Sequence, residues 1–253
     1  MAIALNGKMT EADSGVGTVT TQTIVNTGLA INAGNAIIVC VRSGNGSAGQ
    51  VSVADNVNAG NYTKAVEVAD GVNNRTVSIW VKENSAAAAA GNLTVTVTLS
   101  ATASCATNGL VYSGVLTSSS VDQVNSAAFT TSTATPTSGN ITTTASGDLV
   151  IGAIGFSTGS TATINSGGGS ESAGFTSEFD DSLGTASHQH LHSADDILSG
   201  TSTLAYAPTL SAATTGVIAV ASFKAAGGAA PVVNPNLTPG ADVGMPAGNA
   251  VAW

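Results

Sequence analysis

The chain of 253 residues is long enough for one or two domains, and its 43% hydrophobic content is sufficient for a buried core. Only 8% of the residues are charged and the net charge is −9, so Ser, Thr, Asn and Gly must cover most of the surface. The six Lys and Arg residues are scattered, which excludes the basic stripe typical of nucleic-acid-binding proteins. No apolar run approaches the roughly 20 residues that span a bilayer. We therefore expect neither a nucleic acid nor a membrane as a partner.

Residues 1–19 are interpreted as an N-terminal segment that precedes the folded domain. The first eight residues, MAIALNGK, contain neither a basic start nor a long apolar stretch. A secretory signal needs both features, so we predict that the protein is not exported by this route.

From residue 20 to residue 226 the chain has the pattern of successive β-strands. Residues 93–99 and 77–82 alternate between apolar and polar side chains, which is typical of half-buried strands. Residues 37–41, 110–112, 149–154 and 217–220 indicate more fully buried strands. The only helix-like stretch, 85–90, ends at Gly91 and is interpreted as a short connection. The pattern predicts an all-β fold.

The second half of the chain resembles the first half. GNAIIV at 34–39 corresponds to GDLVIG at 147–152, GNLTV at 91–95 to GTSTL at 200–204, and GLVYS at 109–113 to GVIAV at 216–220. The three matches occur in the same order, and a period this long is not that of a solenoid. We predict pseudo-repeats at about 20–118 and 133–226, each supplying about four core strands to one two-sheet, jelly-roll-like β-sandwich.

The two cysteines are predicted to be free thiols. Cys40 lies within an apolar run, where a thiol behaves as a small hydrophobic side chain. Cys105 lies in a polar connection before the next strand, and nothing in the sequence indicates an oxidising compartment.

The three histidines fall within one stretch, at His188, His190 and His192, with several acidic residues nearby. On a strand, all three side chains would point to one face at intervals of about 6.6–6.8 Å. Two neighbours could share a metal ion, but the spacing typical of zinc sites is missing. We therefore expect a row of histidines that faces solvent or an interface, and no metal site.

Trp80 and Tyr62 are the aromatic residues considered for contact with a ligand. Trp80 lies on the nominally polar face of its strand, which favours contact with a partner subunit, a sugar or a covering loop over core packing. Asp55 begins a segment that resembles a calcium loop, but Val57 and Ala59 occupy positions that need oxygen ligands. A turn before Tyr62 is the better interpretation.

The sequence contains none of the short motifs that mark common catalytic sites. A nucleophile elbow, a phosphate-binding glycine loop and a Cys–His pair are all missing. We predict that the protein is not an enzyme and uses no cofactor.

Residues 227–253 form a segment of different composition, with four of the six prolines and no strand pattern. The pattern predicts an extended C-terminal arm that contacts a neighbouring subunit, although it could also fold back onto its own sandwich. The apolar residues expected to make these contacts are Val232, Val233, Leu237, Met245, Val251 and Trp253.

Several segments together resemble a β-sandwich module found in structural proteins of tailed bacteriophages and in bacterial surface proteins. They are VAD at 53–55, AGNYT at 59–63, SIWV at 78–81, AGNLTVTV at 90–97, LVYSGV at 110–115 and GDLV at 147–150. The resemblance covers about residues 20–226 and brings no catalytic motif with it.

The resemblance implies a non-enzymatic virion protein that is made in the host cytoplasm and decorates or cements a capsid. Its partners would be the major capsid protein or other virion subunits, and it would form a homo-oligomer. A carbohydrate-binding or adhesin module that uses Trp80 and Tyr62 is the alternative.

Overall fold

The structure is a computed structural model that describes residues 1–15, 17–156, 160–180 and 190–227. These residues form sixteen β-strands and no helix, and every pair of strands is antiparallel. The predicted all-β sandwich fold is confirmed. The predicted connection at 85–90 contains only an isolated bridge, between Ala88 and Ile31.

The first half of the chain forms a large inner sheet and a smaller outer sheet. The inner sheet has the order β1-β9-β4-β7-β6, with β2 also paired to β9, and the outer sheet has the order β3-β8-β5. The strands are β1 (Ala4–Lys8), β2 (Ala12–Asp13), β3 (Val19–Val25), β4 (Ala36–Ser43), β5 (Val51–Asp55), β6 (Thr63–Asp70), β7 (Arg75–Lys82), β8 (Thr94–Ala103) and β9 (Cys105–Ser113).

The second half repeats this plan. Its inner sheet has the order β10-β16-β12-β14-β13, and its outer layer contains the pair β11-β15 and a bridge between Ser170 and Thr209. The strands are β10 (Val121–Thr133), β11 (Ile141–Thr142), β12 (Leu149–Phe156), β13 (Thr176–Phe179), β14 (Leu191–Ile197), β15 (Thr203–Leu204) and β16 (Thr214–Phe223).

The two inner sheets correspond strand by strand, and even their irregularities coincide. In each sheet the first strand has a register shift near its start, after Leu5 in β1 and after Val121 in β10. The last strand of each sheet also has a shift, after Lys64 in β6 and after Ser177 in β13. Bulges set the twist of a sheet and the direction of its side chains, so the halves share one detailed architecture.

Strand pairing corrects one of the three sequence matches. β4 and β12 correspond at the predicted offset of 113 residues. Ala36 of β4 pairs with Tyr112, and its counterpart Leu149 pairs with Phe223, so β9 and β16 correspond at an offset of 111. The predicted offset of 107 for this pair is therefore wrong by four residues. Both segments begin with Gly and an apolar run, which cannot fix the register of a fully buried strand.

The sheets stack in four layers with three apolar cores between them. The central core lies between the two inner sheets, and each outer core lies between an inner sheet and its outer layer. Both faces of the inner sheets are covered, and β4 and β12 are buried along their whole length. This explains why these strands read as continuous apolar runs. The sequence pattern predicted that the halves combine into one pair of sheets, whereas each half builds its own pair.

The inner sheets pack face to face with approximate two-fold symmetry. β6 of the first half packs against β10, and the equivalent pair, β13 and β1, is joined by the ion pair between Glu178 and Lys8. β7 packs against β12, and the equivalent pair, β14 and β4, also packs together. Two equivalent surfaces thus contact each other as in a two-fold symmetric dimer.

Arg42 and Gly155 show that equivalent positions near the approximate two-fold axis cannot both carry a large side chain. They occupy equivalent positions on β4 and β12, and they contact each other. A Cβ atom on Gly155 would lie 2.7 Å from Cγ of Arg42, whose side chain is buried and donates to the Phe156 carbonyl. Because the two equivalent side chains compete for one space, only one half carries a large residue there.

Both cysteines are buried free thiols, as predicted. Cys40 lies in the central core and Cys105 lies in the outer core of the first half, on opposite sides of one sheet. Burial raises the pKa of each thiol to about 12. Neither thiol is therefore positioned or ionised for nucleophilic chemistry.

Candidate functional site

The region with the most ionisable side chains is a buried cluster at the outer face of β14. The His192 cluster consists of Glu171, Asp180, His192 and Tyr206. Nε2 of His192 lies 2.7 Å from Oε2 of Glu171, and Nδ1 lies 3.4 Å from Oδ1 of Asp180. Glu171 belongs to the loop before β13, and Asp180 directly follows that strand. Strand alternation directs His192 toward this loop, on the same side as Ala194 in the outer core.

The electrostatics of the cluster favour a charged imidazolium. Burial alone would lower the pKa of His192, but hydrogen bonds to Asp180 and Glu171, together with their charges, outweigh burial and raise it. Burial raises the pKa of Tyr206 well above its ordinary value, and the charge of Glu171 raises it further. The side chain of His192 is completely inaccessible to solvent. The arrangement therefore holds the loop and the end of β13 against β14, and a substrate has no access to the imidazole.

The structure places the predicted row of histidines differently from the expectation. His190 and His192 are both fully buried, so neither faces solvent. The His190 ring packs against Phe156, with ring centroids 6.1 Å apart. His188 lies outside the described residues. The alternation of the strand was visible in the sequence, but the outer layer that covers it was not.

The described residues contain no group of three or more His, Cys, Asp or Glu side chains that could hold a metal ion. In the His192 cluster, both imidazole nitrogens already face carboxylates. The charge of the imidazole is therefore balanced by Glu171 and Asp180 within the cluster.

A second polar cluster bridges the two halves within the central interface. The Tyr112 hydroxyl donates a hydrogen bond to Oδ2 of Asp195 over 3.0 Å, and the Ser193 hydroxyl donates to Oδ1 of Asn108 over 3.1 Å. Burial and the nearby carboxyl of Glu178 raise the pKa of Asp195 to about 6, although the Tyr112 hydrogen bond opposes this shift. These bonds fix the orientation of one inner sheet on the other.

A third carboxyl pair lies where β12 begins. Burial raises the pKa of Asp148 to about 6, and the charge and hydrogen bonding of Asp122 raise it as well. Burial also raises the pKa of Asp122, but hydrogen bonds from Thr144 and the charge of the nearby Lys224 ammonium outweigh burial, so the pKa is lowered overall. The pKa values of these two neighbouring carboxyls are therefore shifted in opposite directions.

Trp80 and Tyr62 are not exposed, so the aromatic platform proposed for a sugar does not exist on this chain. Both are buried in the outer core of the first half. The Tyr62 hydroxyl donates to Asp55, and Nε1 of Trp80 donates to the Ser78 hydroxyl over 2.8 Å. Lys64 covers the Trp80 ring with its ammonium 5.4 Å from the ring centroid. Sequence alternation identified the face of β7 correctly, but the outer sheet makes that face part of a core.

The segment that begins at Asp55 is a turn, as predicted. Oδ1 of Asp55 accepts hydrogen bonds from the backbone N–H groups of Val57 and Asn58, and Oδ2 accepts from the Asn58 amide. Sequence analysis missed what this turn builds, which is one wall of a solvent-open cleft at the ends of β6 and β7. The pattern Asp-x-x-Asn occurs at 55–58 and again at Asp70 and Asn73, and in both places the Asp side chain holds the turn by hydrogen bonds. This pattern was the signal in the sequence that could have identified the ordered turn.

The C-terminal arm residues Val232, Val233, Leu237, Met245, Val251 and Trp253 lie outside the described residues. Within the described part of the chain, no helix has the length and apolar character to cross a membrane. Searches among protein families, curated proteins and solved structures found no match to this chain.

Proposed function

We propose that the protein is a non-enzymatic structural subunit of a bacteriophage virion, which decorates or cements the capsid through contacts between subunits. The observation that carries this proposal is that the Lys and Arg side chains make their contacts within the chain itself. All six cationic side chains contact groups of the same chain, through Glu178, Phe156, Glu67, Asp70, Ala59 and Asp122. Only 8% of the residues are charged, so uncharged side chains make up most of the exposed positions.

A surface of this kind suits close packing of many copies. Hydroxyls and amides can be brought together without the desolvation cost of charged groups, and weak contacts add up when a subunit is held at several points. The stacked sheets supply a thick scaffold in which both halves share one core. The sequence resemblance to virion modules favours the same role.

The proposal is tested by the mass and shape of the native material. Mass photometry with negative-stain imaging is expected to show megadalton particles that carry the chain in many copies. A lone monomer of 24.5 kDa would overturn the proposal.

The proposed contribution of the arm has a separate test. A chain that ends before Gly227 is expected to retain the β circular-dichroism spectrum of the full chain but to lose assembly. A truncated chain that still saturates its particle would show that residues 227–253 are not needed for assembly.

A further inference from the structure

We infer that the cleft at the ends of β6 and β7 is a binding site for a neutral saccharide. This cleft has a volume of about 600 Å³ and opens to solvent. It lies between the turn that follows β5, the loop that follows β7, and Thr117 in the connection between the two halves. The volume falls within the range of about 300–1,000 Å³ that is typical of small-ligand sites.

The walls of the cleft are held in place by hydrogen bonds within the chain. The Asn58 amide donates to Asp55 and to the Ser85 hydroxyl, and its oxygen accepts from the Ala86 N–H. These bonds connect the two loops that face each other across the cleft. The binding surface is therefore formed before a ligand arrives, which lowers the entropic cost of binding.

The charged groups of the cleft are already engaged. Nζ of Lys82 donates to the Ala59 carbonyl over 2.5 Å. The two carboxylate oxygens of Glu83 accept hydrogen bonds from the backbone N–H groups of Ser119 and Ser120. The lining thus carries one cation and one anion, each held by backbone groups, so it has no net charge and favours an uncharged ligand.

Four polar side chains in the lining remain available. The amides of Asn61 and Asn84 and the hydroxyls of Thr63 and Thr117 make no hydrogen bond with any other described residue. Asn84 also has a left-handed backbone, with φ of 50°. Asn is one of the few residue types other than glycine that adopt this conformation readily, so Gly at this position can preserve the loop.

The chemistry of these four groups matches a sugar. An amide offers two donors and an acceptor, and a hydroxyl offers both roles, so together they can pair with adjacent hydroxyls of a saccharide. Val57 and Ala86, which are exposed, supply small apolar contacts for the C–H face of a ring. The lining has no aromatic side chain among the described residues, so we expect weak binding, with a Kd of about 1 mM, near −4 kcal/mol.

The test is an NMR titration of the full chain with glucose, galactose, mannose and N-acetylglucosamine, each up to about 50 mM to match the expected affinity. Saturable shifts confined to residues 57–63, 81–86 and 117 are expected with at least one sugar. Asn84→Gly keeps the left-handed backbone and removes the amide, so it should weaken binding by about tenfold, the equivalent of 1.4 kcal/mol. Asn61→Ala should have a similar effect.

Asn165→Gly is the matched control, because Asn165 is also exposed and left-handed, with φ of 63°, but lies outside the cleft. It should leave the Kd unchanged. The inference would be overturned if none of the four sugars gave saturable shifts, or if Asn84→Gly and Asn61→Ala bound as tightly as the control. Either result would leave the proposed virion role unaffected, because that role does not depend on this cleft.

Discussion

The two halves of the molecule share an inner sheet but differ in the layer that covers it. In the first half a sheet of three strands, β3-β8-β5, covers the inner sheet. In the second half the cover is the two-residue pair β11-β15 with irregular segments that contribute Phe175 and Tyr206. The inner sheets have to match each other across a common core, whereas an outer cover has only to exclude water. The shared face is therefore regular, and the covers diverge.

One pair of equivalent positions shows this divergence at the level of a side chain. Val39 of β4 and Gly152 of β12 occupy the same place in the two inner sheets and face the outer layers. In the second half, the Tyr206 ring fills the volume that the side chain of Val39 fills in the first. The difference between the two outer layers is thus matched by a difference in the inner-sheet residue that contacts each of them.

The largest effect is expected from the equivalent isoleucines of the central core. Ile38 and Ile151 are both fully buried there, so Ile38→Ala and Ile151→Ala should each lower the free energy of unfolding by about 2–5 kcal/mol. Urea unfolding should show one transition for both variants, because the halves share this core. Val72→Ala, at a site that is 80% exposed, should change stability by less than about 0.5 kcal/mol. Two separate transitions would show that the halves unfold independently.

A smaller loss is expected from adding a methyl group beneath the cover of the second half. The Cβ of Gly152→Ala would lie 2.3 Å from the Tyr206 ring, and overpacking of this kind costs about 1–3 kcal/mol. In a double-mutant cycle measured by urea unfolding, Tyr206→Leu should recover part of this loss. Gly200→Ala, with no atom within 4 Å of the added group, is the control. Additive effects of Gly152→Ala and Tyr206→Leu would contradict the argument from the ring.

The pH dependence tests the polar contacts between the halves. Asp195 has a pKa raised to about 6 in the folded protein, so the folded state binds its proton more tightly than the unfolded state does. Its contribution is present below about pH 4 and is lost as the pH rises through about 6. A shift of about two units corresponds to at most about 3 kcal/mol. Asp148 and His192, whose pKa values are also raised, act in the same direction.

We therefore expect a higher Tm at pH 5 than at pH 8, measured by differential scanning calorimetry. Asp195→Asn should reduce this difference, whereas Val72→Ala, at an exposed and uncharged site, should not. A Tm that rises from pH 5 to pH 8 would contradict the assignment of these contacts.

The smallest effect concerns the edges of the inner sheets. Lys8 of β1 pairs with Glu178 and is partly exposed, whereas its equivalent in β10 is the apolar Val124. Lys8→Val makes the two edges alike and should cost about 1 kcal/mol, because Lys8 is 43% exposed and screened by solvent although Glu178 is only 7% exposed. Thermal unfolding in low and high salt measures this contribution, which should shrink as salt increases. A loss well above 1 kcal/mol would show that the pair is essential to the interface.

The sequence predicted the strands and the repeat because both depend on local patterns. The apolar runs at 37–41 and 149–154 identified equivalent strands at the correct offset, since a strand covered on both faces must be apolar throughout. The match at 109–113 had the wrong register, because strands that are buried on both faces show no alternation that could align them. The register between such strands is defined only by their pairing with neighbouring strands in the folded structure.

The layers and the polar clusters could not be predicted, because they depend on contacts between distant residues. The Tyr112–Asp195 bond joins residues 83 positions apart, and His192 is buried by a loop whose position follows from no local pattern. Trp80 was assigned correctly to one face of its strand, but a period of two does not reveal a further sheet on that face.

The chain begins and leaves the sandwich at neighbouring points. The Met1 amino group donates to the Ala226 carbonyl over 3.0 Å, and Val115, which links the halves, forms a bridge with Ala225. The order of the two halves along the polypeptide is therefore arbitrary with respect to the fold. A circular permutant that opens between Leu116 and Val121, with a short linker from Ala226 to Met1, would keep every strand pair. The fold of the two halves therefore does not depend on which of the two connections between them is the covalent one.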